Sequence, residues 1–340
     1  MVMYKCAILG CGGRAQGHAD AYRFVRKGKL SAICDMNAER LRAFGERWNI
    51  AARYTDFETM LNREKPDLLH IVTPPQHRVS LLTVANALGV PAVLIEKPIG
   101  LQGEDYRELR QLAATAKTKI CVNHQLHFHP RSLEFQRDVA DGRIGELRFV
   151  EASARLNLSG QGTHILELVA AYTAGTTPTA VFASVAGAAG LSSNHPAPDQ
   201  CIAAINFSNG VRAQLACGTN APRTNDSYEH MHKRIAAYGT RGIRHWTMEW
   251  WERTGSDGSL EKGVHRYIEE DVLAQAGITD ALLEWLDDES RTHPTNLTAS
   301  LEQFNIILGI YTSALKRAPV SLPVEPEDGL LDGLRGVLAG

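Results

Sequence analysis

Paired cysteines, basic runs and long apolar stretches are all missing from this sequence, and each absence removes a class of protein. The six cysteines (Cys6, Cys11, Cys34, Cys121, Cys201 and Cys217) are scattered over 340 residues with no Cys-x-x-Cys pair. That excludes a dense disulfide framework and fits the reduced thiols of a cytoplasm. No Lys/Arg cluster occurs and the formal net charge is -2, so neither nucleic acid nor an anionic membrane is an expected partner. The longest uncharged stretch, residues 168–198, is broken by Gly175, Pro178 and Ser192-Ser193-Asn194-His195, which a membrane-crossing helix does not tolerate easily. Met1-Val2-Met3-Tyr4-Lys5 runs directly into a strand-like pattern, without the basic, apolar and cleavage segments of an export signal.

What is present is ordinary globular composition, 44% hydrophobic and 22% charged, in a chain long enough for two cores. The expected division is residues 1–124 and 125–340, with a C-terminal helix packing back on the first domain. Apolar runs at 6–9, 30–34, 68–72, 92–95 and 120–122 alternate with helical patterns, the signature of repeated βαβ units and a parallel sheet. Gly28 and Gly89 read as helix ends, and Thr55 with Glu58 as a capping box. Beyond a helix at 132–140 and a shorter one at 163–172, the pattern turns to strands at 146–154, 180–186, 201–207, 211–217 and 234–238. Ser208-Asn209-Gly210 is a tight hairpin signal, so the second sheet is expected to be antiparallel. Helices at 271–286 and 297–315 close the pattern.

Gly10-Cys11-Gly12-Gly13-Arg14-Ala15 follows the first strand and opens a helix. Gly10 permits a sharp turn, Gly12 removes a Cβ that would bar a pyrophosphate, and Ala15 keeps helix and strand close. The helix N-terminus adds free N–H groups and partial positive charge for phosphates. Asp35, 20 residues after Ala15, ends the second strand where a carboxylate accepts hydrogen bonds from ribose hydroxyls and repels a 2'-phosphate. NAD is therefore the expected cofactor, with NADP the alternative if Arg14 or Arg40 meets a phosphate.

Thr73-Pro74-Pro75-Gln76-His77 and Glu96-Lys97-Pro98 each close a strand, at the sheet edge where doubly wound folds bind ligands. With the glycine loop, they resemble the glucose-fructose oxidoreductase and inositol dehydrogenase family (Gfo/Idh/MocA). The likeness continues through Asn123-His124-Gln125-Leu126-His127-Phe128-His129-Pro130, Gly162-Thr163-His164-Ile165-Leu166-Glu167 and the segment from Ile310 to Pro323. It implies an α/β Rossmann doubly wound parallel sheet plus an α+β domain with a large, mostly antiparallel open-faced sheet, through which family members form dimers or tetramers.

The resemblance assigns Thr73, Pro74, His77, Glu96 and Gln125 to the cofactor, and puts Lys97 between substrate and nicotinamide, with a cis Lys97–Pro98 peptide. An ammonium there holds the reacting oxygen and stabilises charge as its proton leaves. His164 matches the family's acid/base histidine, since alcohol oxidation needs a proton acceptor while hydride leaves the same carbon. Two departures stand out. Gly160 occupies the place of the family's aspartate, leaving Asn157 or Gln161 to reach substrate without serving as a base. Gln125 and His127 stand in an Asn-x-Arg-type pattern, and His127 lacks the bidentate fork for a carboxylate, which disfavours an acidic substrate.

The expected function is hydride transfer between NAD and a CH–OH carbon of a sugar, glycoside or polyol, as a dehydrogenase or reductase. Alternatives are a keto-sugar reductase or cofactor-retaining epimerase or glycosidase-type enzyme, and an inactive sugar- or dinucleotide-sensing regulator. No metal is expected: His124, His127 and His129 alternate along a strand-to-loop segment with no Cys or carboxylate cluster beside them. Trp246, Trp250 and Trp251 read as core or subunit interface before sugar-stacking surface, and His230 and His232 as a solvated strand start.

Overall fold

The computed structural model describes residues 3–338. Along the chain run β1 (Tyr4–Leu9), α1 (Gly13–Ala21), β2 (Gly28–Cys34), α2 (Ala38–Arg47), β3 (Ala52–Tyr54), α3 (Phe57–Glu64), β4 (Leu68–Ile71), α4 (Arg78–Ala87), β5 (Ala92–Glu96), α5 (Gly103–Thr115) and β6 (Lys119–Asn123). Next come α6 (Pro130–Ala140), β7 (Leu147–Ala154), α7 (Thr163–Tyr172), β8 (Pro178–Ala186), β9 (Gln200–Phe207), β10 (Arg212–Cys217) and β11 (Lys233–Gly239). The remainder is β12 (Ile243–Thr247), β13 (Trp250–Thr254), β14 (Leu260–Val264), α8 (Tyr267–Asp287), α9 (Leu297–Lys316), β15 (Val320–Ser321) and α10 (Leu330–Leu338).

Contacts divide the chain into two units. The first comprises the chain up to Gly100 with Arg107–Phe128 and Asp271–Ser300; the second comprises Leu101–Tyr106, His129–Glu270 and the chain from Leu301. The stretch Asp271–Ser300, which holds most of α8, belongs to the first unit, whereas a cut at residue 124 leaves it with the second.

In the first unit six parallel strands lie in the order β3-β2-β1-β4-β5-β6, the doubly wound order that reverses between β1 and β4. β1, β4 and β5 are buried on both faces, which is why they read as continuous apolar runs. One face is covered by Ala15, Ala19, Leu41 and Phe44 packing on Ile8 and Ile33. On the other, Ile278, Leu282 and Leu283 of α8 pack on Cys6, Leu68, Leu94 and Cys121. The α3 cap differs from expectation: Asp56, not Thr55, is the N-cap, and its carboxylate accepts from Thr59 N at 2.8 Å. A carboxylate at that position caps as well as a hydroxyl and adds charge to the helix N-terminus.

The second unit is built on a nine-stranded sheet, β14-β13-β12-β11-β7-β10-β9-β8-β15. The β9–β10 hairpin forms as its turn predicts, with Gly210 at φ +86. The sheet is mostly antiparallel, as expected, with β7 and β10 paired in parallel. Burial alternates strictly along β9, and Phe182 and Ile202 stand on the exposed side, 52% and 59% exposed. α7 lies on the other side of the strand ladder and is buried over most of its length.

Candidate active site

The glycine loop is shaped by what surrounds it. Gly10 has φ +94, and a Cβ there would lie 2.4 Å from the Val72 carbonyl oxygen, so no other residue fits without moving β4's end. Gly12 and Gly13, by contrast, have nothing within 4 Å of an added Cβ. Their smallness serves no internal packing; it leaves an open cradle over the first turn of α1. Gly12 caps that helix without any side-chain bond, so the turn's N–H groups face the cradle as the anion-binding end of a helix does. Ala15 is wholly buried against the sheet.

Asp35 closes the opposite side of this loop. Its Oδ2 accepts from Cys11 N at 2.8 Å and Arg40 Nε at 2.9 Å, and its Oδ1 from Asn37 N at 2.8 Å and an Arg40 terminal nitrogen at 3.0 Å. Burial pushes the carboxyl up, but Arg40 and the two backbone donors outweigh it and hold Asp35 below the usual carboxylate range. All four in-plane acceptor positions are used. Two of these four positions are held by the half-exposed Arg40. Arg14 is turned inward instead: its Nε donates to Glu96 at 2.7 Å and a terminal nitrogen to Gln275 at 2.6 Å.

Glu96 is the hub of a buried polar cluster at the carboxyl end of β5. It accepts from Arg14, from Asn123 Nδ2 at 2.7 Å and from His18 Nε2 at 2.9 Å. His18 Nδ1 faces His70 Nδ1 at 3.0 Å, and His70 Nε2 faces the Tyr22 hydroxyl at 2.7 Å. With neutral rings, only one proton arrangement satisfies the chain of contacts from Tyr22 through His70 and His18 to Glu96. Tyr22 donates to His70 Nε2, His70 Nδ1–H donates to His18 Nδ1, and His18 Nε2–H donates to Glu96. Burial holds both imidazoles below their ordinary value, consistent with neutral rings. Burial would raise Glu96, yet Arg14, His18 and Lys97 hold it well below the carboxylate range.

Lys97 follows directly, partly buried, with the Lys97–Pro98 peptide cis. Burial pushes its ammonium down to about 8; Glu96 draws it back up while Arg14 and Arg78 add to the depression. The result is a cation at neutral pH that gives up its proton at modest cost.

Thr73 and Pro74 follow β4, Pro74 and His77 exposed, on a short 3-10 turn over Pro75–His77. The Thr73 hydroxyl oxygen is buried without a hydrogen-bond partner among the described residues, beside the glycine loop. The two motif corners are joined by Arg78, which donates to the Thr73 carbonyl at 2.9 Å and also to the Pro98 carbonyl. Burial lowers its guanidinium to about 10. Sequence reasoning missed Arg78, His18, Asn123 and Gln275. His18 carried a signal, for it lies three residues after Ala15 and one before Ala19, on the sheet-facing side of α1. Gln275 carried none.

Gln125 donates to Asp271 at 3.2 Å, while its carbonyl oxygen is buried with no hydrogen-bond partner among the described residues. The His127 ring lies against Phe128, with centroids 5.0 Å apart. In the second unit a π-helical turn over Leu158–Gly162 leads into α7. Asn157 caps it, accepting from Gly160 N at 2.7 Å and donating to the His195 carbonyl at 3.0 Å. A Cβ on Gly160 would come 2.9 Å from Asn157 Oδ1, so a side chain at 160 would push aside the amide that makes this cap. Gln161 Oε1 is buried and has no hydrogen-bond partner among the described residues. His164 and Glu167 sit on the first turns of α7, 5% and 2% exposed.

The remaining aromatic and histidine positions also resolve. Trp246 is fully buried core, and Trp250 and Trp251 are partly buried. His232 is buried, its Nδ1 3.2 Å from Thr224 N, which corrects the reading of a solvated strand start. His129, 0% exposed, keeps company with His265, and burial holds the two rings down to about 3 and about 4.

Residues 4–124 match the model of the oxidoreductase family with an NAD-binding Rossmann fold. A D-apiose dehydrogenase of Paraburkholderia graminis is 34% identical over 143 residues, 42% of this chain and 38% of that protein. An inositol 2-dehydrogenase of Rhizobium meliloti is 26% identical over 44% of this chain and 46% of its own length. The chain thus matches less than half the length of these curated relatives. A levoglucosan dehydrogenase solved with NADH and levoglucosan superposes with a TM-score of 0.81 at 14% identity, over 94% of this chain and 100% of that one, a likeness of fold. The open glycine cradle, Asp35 and the Glu96-Lys97-Pro98 corner lie within the matched region, so it is over residues 4–124 that the chain matches the Gfo/Idh/MocA family of oxidoreductases.

Proposed function

We propose that this protein is an NAD-dependent oxidoreductase that moves hydride between nicotinamide and a CH–OH carbon of a sugar, glycoside or polyol. The observation that carries the reading is Lys97: a partly buried ammonium lowered to about 8, fixed at the carboxyl end of β5 beside a glycine cradle that no side chain fills. The residues present fit a dinucleotide. Gly10, Gly12, Gly13 and the first turn of α1 would take the pyrophosphate, Asp35 the adenosine ribose once Arg40 moves, and Thr73, Pro74, His77, Glu96 and Gln125 the surroundings of the nicotinamide half. Bound nicotinamide supplies the hydride acceptor or donor.

Lys97 holds the reacting oxygen and stabilises its developing negative charge. His164 takes the hydroxyl proton, as a neutral imidazole can. Asn157, committed to its cap, supports the Gln161 and His164 segment, and Gln161 and His127 are left as the polar contacts to substrate. Arg40 favours a second cofactor reading, acceptance of NADP, because its guanidinium lies against the Asp35 carboxylate. The buried free thiols suit a cytoplasm, and the apolar face with Phe182 and Ile202 suits a homodimer or homotetramer. No helix among the described residues is long and apolar enough to cross a membrane.

The test is a screen of monosaccharides, inositols and glycosides for nicotinamide absorbance change with NAD or NADP, wild type beside Lys97→Ala and His164→Ala. Product analysis at catalytic cofactor levels separates net oxidation from turnover with retained cofactor. Variants as fast as wild type on a responding substrate would remove both roles.

A further inference from the structure

Outside the residues assigned above, the described residues of the second unit include one cluster with the composition of a metal site. His129 is the N-cap residue of α6, His265 lies between β14 and α8, and Glu270 is on the first turn of α8. One donor atom from each lies within 4.8 Å of the others. Glu270 Oε2 is 2.9 Å from His129 Nε2 and 3.2 Å from His265 Nδ1. His129 is wholly buried and the His265 side chain is 2% exposed, whereas Glu270 is 30% exposed and opens the cluster to solvent.

These contacts are short without being hydrogen bonds. His129 Nδ1 and Nε2, His265 Nε2 and Glu270 Oε2 are all buried, and no group among the described residues satisfies hydrogen-bond geometry at any of them. At 2.9 Å, that means the carboxylate oxygen lies off the direction in which the His129 ring nitrogen points. Two ring nitrogens and a carboxylate oxygen gathered this closely, with neither His129 Nε2 nor Glu270 Oε2 hydrogen-bonded to a described group, make a donor set that a cation can bridge. Ligands on a tetrahedral ion with bonds of about 2.1 Å stand roughly 3.4 Å apart, close to the spacings seen here.

The surroundings agree. Trp246 and Tyr267 wall the cluster, with ring centroids 5.3 and 6.3 Å from that of His129, giving the dry shell that strengthens ligation. The His265 backbone N–H donates to the Glu249 carbonyl at 2.7 Å and fixes that loop. Arg131 is the nearby positive charge, and it is held elsewhere, stacked 3.8 Å over Trp251 and paired with Glu134.

We propose that His129, His265 and Glu270 bind a divalent first-row transition ion, zinc by donor preference, with solvent completing the shell at the Glu270 side. Two imidazoles and one carboxylate suit zinc and disfavour calcium or magnesium, which take oxygen donors. The ion clasps the start of α6 to the start of α8 and acts independently of the hydride chemistry.

The experiment uses tag-free full-length protein, stripped with chelator and titrated with ZnCl2 against a chromophoric competitor, and separately with CoCl2. Wild type should take up about one zinc per chain, raise its Tm on doing so, and show the visible absorption of four-coordinate cobalt. His265→Ala and Glu270→Gln should bind at least roughly tenfold more weakly and lose the cobalt band, while His230→Ala behaves as wild type. Circular dichroism checks that the variants are folded; Glu270→Gln, at a partly exposed position, keeps the test decisive if a histidine variant does not fold. No uptake by folded wild type, or uptake unchanged in both ligand variants, overturns the proposal.

Discussion

Replacing Lys97 with methionine should make the protein more stable while removing its activity. The ammonium titrates at about 8 in the fold and near 10.5 in the unfolded chain. At 1.36 kcal/mol per pH unit, holding it charged costs about 3 kcal/mol. Between those two pH values the unfolded chain binds the extra proton, so the cost is complete below pH 8, shrinks as pH rises, and is gone above about 10.5. The attraction to Glu96 is already included in that net value. Because Lys97 keeps some solvent exposure, screening reduces the gain expected of Lys97→Met at pH 7 to about 1–3 kcal/mol, roughly 2–12 °C in thermal unfolding. Calorimetry or urea unfolding of both proteins at pH 7 and near pH 10.5 measures it, each pair compared at its own pH. Turnover should fall by about a hundredfold or more. A variant destabilised at pH 7, or a difference of the same size at both pH values, would refute the account of Lys97 as a charge held against burial.

For the same group, kcat/KM should fall as pH rises through about 8, since the ammonium is the working form. Glu96→Gln removes the charge that raises Lys97, so its pH–rate profile should break at lower pH; an unmoved break excludes Lys97 as the titrating group. Gly10→Ala should cost roughly 2–4 kcal/mol in thermal unfolding, given its positive φ and the Val72 carbonyl 2.4 Å from the new methyl. Gly12→Ala, whose methyl meets nothing, should change stability by less than about 1 kcal/mol yet weaken dinucleotide binding at least roughly tenfold in calorimetric titration. Arg40→Ala frees two acceptor positions on Asp35, and fluorescence titration should show the preference for NADH over NADPH rise by about tenfold or more.

The first sheet was legible because its strands are buried on both faces and read as uninterrupted apolar runs such as Cys6–Leu9, punctuated by glycines with specific geometric duties. β3 escaped notice, being three residues long with an exposed arginine at its centre. β12, β13 and β14 escaped for a related reason: Arg244, His245, Glu252, Arg253 and Lys262 break any alternation, and their ladder is held by cross-strand ion pairs such as Arg253 with Glu261. Glu96 and Lys97 were singled out because they close a strand at the sheet edge and match the family's Glu-Lys-Pro triplet. Their supports were not, since Gln275 reaches Asn123 across 152 positions of chain and Arg14 across 261, and such pairings exist only once packing has occurred. The meeting of His129 with His265 and Glu270 is of the same kind: the spacing of histidines within one loop says nothing about a ligand supplied more than a hundred residues away.

Arg78 has a bearing on how this scaffold could be altered. A single rigid planar group tethers the loop after β4 to the loop after β5, so neither can be displaced without dragging the other. Grafting one of these loops from a relative, while leaving its neighbour untouched, would strand a guanidinium with half its acceptors missing. Exchanging the two loops together with Arg78, as one cassette, keeps the brace intact and is the way to transplant cofactor or substrate preference.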